Sequence, residues 1–163
     1  MSLEDYKSKR DFKSTTEPAG KNQEVSRNRF VIQEHRASSL HYDFRMEMED
    51  EKNSPVVLKS WAVPKNVPMD YGVKHLAIRT EDHPVEYLDF EGIIPEDSYG
   101  AGEVKIWDQG KWGLMKGSFE EKMLKFNLFG SRIKGRYVMI KTRGYGKQKK
   151  DDNEYWLIWR KEN

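Results

Sequence analysis

The sequence predicts an all-β protein, a compact barrel of roughly eight strands with an irregular N-terminal arm and little helix. Three observations lead to this prediction. Apolar and polar residues alternate in short segments, with the period of a half-buried strand. Glycine, proline, asparagine and aspartate separate these segments at short intervals, as in sheets joined by tight turns. Many short strands favour a closed barrel or a sandwich, because closure removes unpaired strand edges.

The predicted elements follow in chain order. Residues 1–29 are polar and form an arm predicted to be extended, with no helical period, ahead of the barrel domain at 30–163. Residues 41–48 alternate strictly, and the apolar residues 56–63 end at Pro64. Strand candidates lie at 30–33, 41–48, 56–63, 76–80, 87–90, 104–107, 123–129, 136–142 and 155–160. The sequence Asp-Gln-Gly-Lys at 108–111 predicts a hairpin turn.

Composition excludes several classes of protein. The chain has no cysteine, which excludes disulfide scaffolds, zinc fingers and thiol nucleophiles, so a metal site must use histidine and carboxylate. The charged N-terminus and the absence of an apolar run of about 18 residues predict a soluble, intracellular protein, cytoplasmic and without a membrane partner. Residues 131–150 hold eight Lys or Arg and no acid. They form either a phosphate-facing segment or a solvated hairpin tip.

The alternating strand at 41–48 carries the most chemistry. His41, Asp43 and Arg45 share one face, because residues two apart in a strand point the same way. His35 lies six residues before His41 and can return to the same site. Two histidines and a carboxylate suit a divalent metal with open positions, and an arginine suits a phosphate. The alternative is the outward polar face of an edge strand.

Two further clusters stand out. His83 lies in Thr-Glu-Asp-His-Pro, and Pro84 biases its backbone to an extended form. A lone histidine of this kind is either structural or catalytic. Residues 94–103 form an acidic, glycine-rich loop that lacks the lysine and the spacing of a P-loop. This loop is either a tight connector or part of the rim of a site.

Three segments of the chain closely resemble the phosphoesterase domain of bacterial DNA ligase D. They are FVIQEHRASSLHYDFRMEM at 30–48, LKSWAVPK at 58–65 and RTEDHPVEYLDFEGIIPEDSYGAGEVKIWDQGKW at 79–112. Stand-alone prokaryotic versions of that domain are similar, and the resemblance covers nearly the whole chain. It implies a β-barrel with a Mn²⁺ site, which Co²⁺ or Zn²⁺ could also fill. The implied activity removes a 3′-terminal ribonucleoside from a DNA primer-template and then the 3′-phosphate, leaving a 3′-OH for repair.

The resemblance also implies roles for individual residues. His35, His41 and Asp43 match the metal ligands, and Arg45 matches a phosphate-contacting arginine. His83 matches an essential histidine, as a general acid or a group that orients phosphate. The remaining matches are the catalytic positions Lys59, Tyr87, Asp11, Glu17 and His75 and the substrate-binding positions Arg10, Gln33 and Arg79. His75 departs from the family, which carries arginine there, so a fixed charge becomes one that depends on pH.

Two other functions remain open on the residues alone. The His-x-Asp pair also occurs in Fe(II)/2-oxoglutarate oxygenases, although here the downstream histidine is His83 and the next arginine is Arg132. A non-catalytic nucleic-acid-binding barrel would use the basic segment and exposed aromatics. For the phosphoesterase, the expected partners are DNA with 3′-ribonucleotide or 3′-phosphate ends and a separate ligase and polymerase, since neither module fits in 163 residues.

Overall fold

A computed structural model describes residues 2–20, 25–49, 56–143 and 153–162. Its nine antiparallel strands follow the order β1-β2-β3-β4-β9-β8-β7-β6-β5, and pairing of β1 with β6 closes eight of them into a barrel. The predicted fold class is therefore confirmed. The strands are β1 Arg29–Arg36, β2 Leu40–Glu49, β3 Val56–Val63, β4 Lys74–His83, β5 Gly92–Ile94, β6 Gly102–Ser118, β7 Met123–Gly130, β8 Lys134–Lys141 and β9 Tyr155–Lys161.

Strand β6 closes the barrel and runs without a turn through residues 108–111. The hairpin turn predicted there is therefore wrong. Its residues 103–111 pair with β1 and its residues 110–118 pair with β7. A Cβ on Gly110 would lie 2.1 Å from the carbonyl oxygen of Phe129, so this glycine permits a close strand approach. The Asp108 carboxylate accepts backbone N–H groups of Ser131 and Ile133, both at 2.8 Å. Asp108 thus stabilises the β7–β8 turn.

Two short helices also differ from the predictions. The strand predicted at 87–90 is wrong, because residues 87–89 belong to a 3₁₀ helix, Val85–Asp89, and Phe90 is its C-cap. The buried residues of this segment, Val85, Tyr87 and Leu88, do not alternate as they would in a strand. The arm holds a helix, α1 Leu3–Ser8, which Ser2 and Asp5 close at its N-terminus with a capping box. Six residues are too few to display a helical period. Within the described residues, no helix is long and apolar enough to cross a membrane.

The barrel wall separates two apolar clusters. Its interior is filled with aromatic residues such as Trp61, Phe126 and Trp156. A second cluster lies outside the wall, where Tyr6 of α1 and Tyr87 of the 3₁₀ helix cover β1, β3 and β6. In β2 the alternation predicted from sequence is confirmed, because Phe44 lies in the interior cluster while its polar neighbours point the other way. The polar groups therefore meet on the outer wall, beneath the arm.

Candidate active site

A cavity of about 350 Å³ opens on the outer wall of the barrel, where β1, β2 and the end of β4 meet the arm and the loop before β6. Seven of the residues expected at the site line it: Arg10, His35, His41, Asp43, Arg45, His83 and Tyr87. Residues from five segments of the chain thus converge on one cavity.

His35, His41 and Asp43 form the centre of the cavity. One ligand atom from each lies within 4.8 Å of the other two. The Asp43 carboxylate is 3.2 Å from His35 Nδ1 and 3.2 Å from His41 Nε2. The two histidines are paired across β1 and β2, since His35 lies opposite His41 in the register. The short link between the two histidines is therefore the turn of a β-hairpin, which brings His35 back beside His41.

The hydrogen bonds of the two imidazoles suit a metal ion. His35 Nε2 lies 2.7 Å from the Gly100 carbonyl oxygen, and His41 Nδ1 lies 3.4 Å from that of Ser39. A carbonyl and a carboxylate both only accept, so each imidazole faces an acceptor on both of its nitrogens. In the tautomer whose proton lies on the carbonyl side, the nitrogen facing Asp43 is free to bind a metal ion. Two nitrogen lone pairs and a carboxylate then point at one another. The donor set fits a divalent cation of intermediate softness.

Charge at this centre is fixed by its neighbours. Burial alone would raise the pKa of Asp43, but Arg45 and the two imidazoles outweigh it and hold that pKa well below its usual range. Asp43 is therefore ionised. Burial also opposes protonation of His41, yet the adjacent Asp43 raises the pKa of His41 overall. The ionised Asp43 and the raised pKa of His41 both indicate that the centre attracts positive charge.

Arg45 is held rigidly beside the centre. Its Nη2 lies 3.4 Å from Asp43, and its Nε donates to Gln33 Oε1 at 2.7 Å. Gln33 is fixed in turn, because its Nε2 donates to the carbonyl oxygens of Tyr87 and Phe90. Gln33 is buried and lies outside the cavity lining. Gln33 therefore contacts Arg45 and not the cavity. The Arg45 guanidinium also stacks 4.7 Å from the Tyr87 ring centroid.

The arm contributes Arg10 through a buried network of charges. Arg10 Nε donates to Glu17 at 2.9 Å, and its Nη1 donates to Glu81 at 3.1 Å. Glu17 also accepts the hydroxyl of Tyr87 at 2.7 Å. The Glu17 side chain is fully buried and lies outside the cavity lining, so it orients Arg10 and Tyr87. Burial, with Glu17 close by, raises the pKa of Tyr87 well above 10, which keeps its hydroxyl protonated.

His83 lies at the end of β4, buried against Tyr6 and Tyr87. Its Nδ1 lies 2.9 Å from the Glu81 carbonyl oxygen and therefore carries a proton. Burial first, and then the positive charges of Arg45 and Arg10, lower the pKa of His83 well below 6.5. The ring is neutral at pH 7 and presents Nε2 as an acceptor.

Lys59 and Arg79 do not lie at the cavity. Both contact Asp82, with Lys59 Nζ at 3.0 Å and Arg79 Nη2 at 2.5 Å from the carboxylate. They stack over Phe119, which packs against the interior cluster. A bulge opposite Lys59, where Ser60 pairs with Thr80 and Leu58 with His83, turns Asp82 inward. The three charges form a buried group inside the barrel.

His75 and Asp11 also lie away from the cavity lining. His75 stands at the far end of β4 from His83, eight residues away, which is about 26 Å along a strand. Its Nδ1 donates to the Asn66 carbonyl oxygen at 2.5 Å. Asp11 is exposed and accepts the Lys13 N–H at 3.0 Å in a turn of the arm.

The structure adds residues that the sequence reasoning missed. Glu81, Thr80, Tyr99 and Gly100 also line the cavity. Glu81 lies in the same short segment as His83, and this proximity is the sequence feature that indicates it. Tyr99 and Gly100 belong to the acidic, glycine-rich loop, which therefore forms part of the rim. Of the basic segment 131–150, the last seven residues, with Lys147, Lys149 and Lys150, lie outside the described residues.

The fold and the site agree with a comparison to known families. A family model described as "DNA Ligase D 3'-phosphoesterase domain" matches residues 33–141. These residues contain the His/His/Asp centre, Arg45 and His83. The protein is thus a phosphoesterase, a hydrolase that acts on phosphoester bonds. The chain belongs to the DNA ligase D 3′-phosphoesterase domain family, as its sequence motifs predict.

Several bacterial relatives share this region. The "Multifunctional non-homologous end joining protein LigD" of Pseudomonas aeruginosa is 44% identical over 152 residues, which is 90% of this chain and 17% of the relative. The protein of the same name from Mycobacterium bovis is 45% identical over 162 residues, 97% of this chain and 19% of the relative. A third, from Mycolicibacterium smegmatis, is 42% identical over 87% of this chain. The chain spans less than a fifth of the length of each.

Proposed function

We propose that this chain is a Mn²⁺-dependent phosphoesterase that heals DNA 3′ ends. It removes a 3′-terminal ribonucleoside from a primer-template and then removes the remaining 3′-phosphate to leave a 3′-OH. The observation that carries the proposal is the convergence of His35, His41 and Asp43 beside Arg45 and His83 in one cavity. Membership of the ligase D phosphoesterase family supports the choice of a 3′-phosphoester.

The cavity binds a phosphate through complementary charge. A divalent ion held by His35, His41 and Asp43 supplies Lewis-acid polarisation of a phosphoryl oxygen when bound. Arg45 and Arg10 face the same space and stabilise the negative charge that develops on the other oxygens. Gln33 and Glu17 hold these two guanidinium groups in place before the substrate arrives. Little reorganisation is then needed in the transition state.

His83 acts as a proton acceptor in this proposal. A general acid must carry a proton in the resting enzyme, and the lowered pKa of His83 keeps the ring neutral. With Nδ1 bound to the Glu81 carbonyl, Nε2 can accept a hydrogen bond or a proton from an attacking water. Direct attack by water also agrees with the sequence, which contains no cysteine nucleophile.

The two other functions considered receive less support. The oxygenase interpretation needs His83 as the third ligand, but the described residues group His35 with His41 and Asp43. A binding barrel needs no such cluster, and the family model belongs to a phosphoesterase. The printed name of the relatives refers to non-homologous end joining. We therefore propose DNA ends as the substrate, with a DNA ligase and polymerase acting before or after this enzyme in the cytoplasm.

A primer-template assay tests the function directly. Purified protein is incubated with a primer that ends in one ribonucleotide, or in a 3′-phosphate, and with Mn²⁺, Co²⁺, Zn²⁺ or Mg²⁺. Denaturing gels should show conversion of both primers to a 3′-OH end, fastest with Mn²⁺. Asp43→Asn should lose this activity, whereas Asp89→Asn, the same change at an exposed aspartate outside the cavity, should keep it.

Two outcomes would contradict the proposal. If the wild-type protein leaves both primers intact with every metal, it is not a 3′-phosphoesterase. If Asp43→Asn retains full metal-dependent activity while the protein stays folded, the reaction does not use the His/His/Asp centre. Turnover of 2-oxoglutarate with Fe²⁺ would instead support the oxygenase.

A further inference from the structure

The loop before β6 carries an aromatic side chain to the rim of the cavity. Tyr99 lines the cavity and is 50% exposed. It directly precedes Gly100, whose carbonyl oxygen lies 2.7 Å from His35 Nε2. Consecutive Cα atoms are about 3.8 Å apart, so Tyr99 stands beside His35, one of the three proposed metal ligands.

The backbone of this loop is fixed. Two successive turns hold it, with Ser98 N–H donating to the Pro95 carbonyl at 2.9 Å and Ala101 N–H to the Ser98 carbonyl at 3.2 Å. A Cβ on Gly102 would lie 2.1 Å from the Arg36 carbonyl oxygen, and its φ is +131°. Only glycine allows the loop to approach β1 so closely. Tyr99 is therefore presented by a rigid support.

The Tyr99 ring is held by cations from the arm. Lys9 Nζ lies 4.7 Å from its centroid and Arg10 Cζ lies 5.4 Å from it. The same Arg10 guanidinium stacks 4.0 Å from the centroid of Tyr6. Tyr6, Arg10 and Tyr99 thus form a layered stack that begins in the buried cluster and ends at the cavity rim. The outermost layer is an aromatic ring with half its surface in water.

We propose that Tyr99 is a stacking platform for a nucleobase next to the scissile phosphate. This inference rests on the proposed function, since it places the phosphate at the His/His/Asp centre. Aromatic rings beside cationic groups bind single-stranded nucleic acid by stacking on any base, without reading its sequence. An end-healing enzyme must accept every base, and a stacking contact meets that requirement. The ligand class is an unpaired or frayed nucleobase at the 3′ end.

Variants of Tyr99 and changes in the DNA test the contact together. The substrates are a primer ending in a ribonucleotide, the same primer with an abasic terminal ribose, and one that is abasic at the preceding position. For the intact primer, Tyr99→Ala should raise KM about tenfold, the loss expected for one stacked base, with kcat little changed. Tyr99→Phe should restore the wild-type KM, because the ring remains. For the abasic primer that lacks the stacked base, wild type and Tyr99→Ala should have the same KM.

Tyr71 provides a matched control. It is 48% exposed, and Arg160 Cζ lies 4.9 Å from its ring centroid, but it lies outside the cavity lining. Tyr71→Ala should leave KM unchanged for every primer. The two abasic primers identify which base stacks. The inference is overturned if Tyr99→Ala raises KM by the same factor for the intact primer and for both abasic primers. It is also overturned if Tyr71→Ala raises KM as much as Tyr99→Ala does.

Failure of this inference can be told apart from failure of the proposed function. If wild type cleaves the primers but shows no coupling between Tyr99 and a base, only the stacking platform is refuted. If wild type cleaves nothing, the proposed function fails. Fluorescence anisotropy with the same labelled primers then still measures whether the loss of Tyr99 and the loss of a base have a shared effect on the Kd for the primer. A tenfold weaker Kd for Tyr99→Ala, lost with an abasic primer, would then support the platform alone.

Discussion

Replacing Asp82 with asparagine removes the carboxylate that Lys59 and Arg79 share inside the barrel. All three side chains are buried, with 2% of Asp82, 6% of Lys59 and 3% of Arg79 exposed. Two cations would then remain close together without this counter-charge. Loss of one partner from a buried ion pair costs about 3–5 kcal/mol. Because asparagine keeps the shape and can still accept a hydrogen bond, we expect a loss near the lower limit, about 3 kcal/mol.

Urea unfolding measures this loss. With an m-value of about 2 kcal/mol per M for a chain of this size, the midpoint should fall by about 1.5 M. Asp70→Asn is the matched control, since Asp70 is exposed. Its change in stability should stay within about 0.5 kcal/mol. A loss below about 1 kcal/mol for Asp82→Asn would refute the argument, because the two cations would then be solvated or paired elsewhere.

A second variant decides whether Lys59 is structural or acts on substrate. Lys59→Met keeps the apolar stem over Phe119 and leaves Asp82 paired with Arg79. Because Lys59 lies outside the cavity lining, kcat/KM should stay within about threefold of wild type. A hundredfold loss in a stably folded variant would show instead that Lys59 reaches the substrate, as the family resemblance implies.

Three further predictions concern the site. Asp43→Asn should weaken Mn²⁺ binding in calorimetry by about 100-fold or more, whereas Asp89→Asn should not; equal affinities would remove Asp43 from the centre. Burial lowers the pKa of His83, so the unfolded chain binds that proton more readily and stability falls as the pH drops below about 6.5. His83→Gln should therefore flatten the decline in urea midpoint between about pH 7 and pH 5, and an unchanged slope would disprove this. Glu17→Gln should lower kcat/KM about tenfold by releasing Arg10, and unchanged kinetics would deny Glu17 a positioning role.

The strand pattern predicted the centre of the site because it is a local property. Side chains two apart in a strand share a face whatever the strand pairs with, so His41, Asp43 and Arg45 were bound to point together. The interior position of Phe44 on the other face agrees with that reasoning. The same pattern could not predict which face of β3 points into the barrel, because that strand has apolar residues on both faces. Lys59 therefore could not be placed in the barrel interior from sequence.

Long-range pairing decided the other differences. Strand β6 runs through 108–111 because it pairs first with β1 and then with β7, and neither partner can be identified from the residues themselves. The bulge in β4 that turns Asp82 away from the cavity depends on register with β3. Six residues of helix in the arm gain stability from packing of Tyr6 into the second cluster more than from their own propensity.

The sequence alone determined the all-β class, the absence of thiol chemistry, the family and the shared face of His41, Asp43 and Arg45 on β2, since composition, motifs and strand period are local or cumulative. The tertiary structure decided that the cavity lies on the outer wall, that Gln33 and Glu17 hydrogen-bond to Arg45 and Arg10, and that Tyr99 joins the rim. Those facts depend on which distant segments pack together. Packing is set by closure of the barrel and burial of two separate apolar clusters.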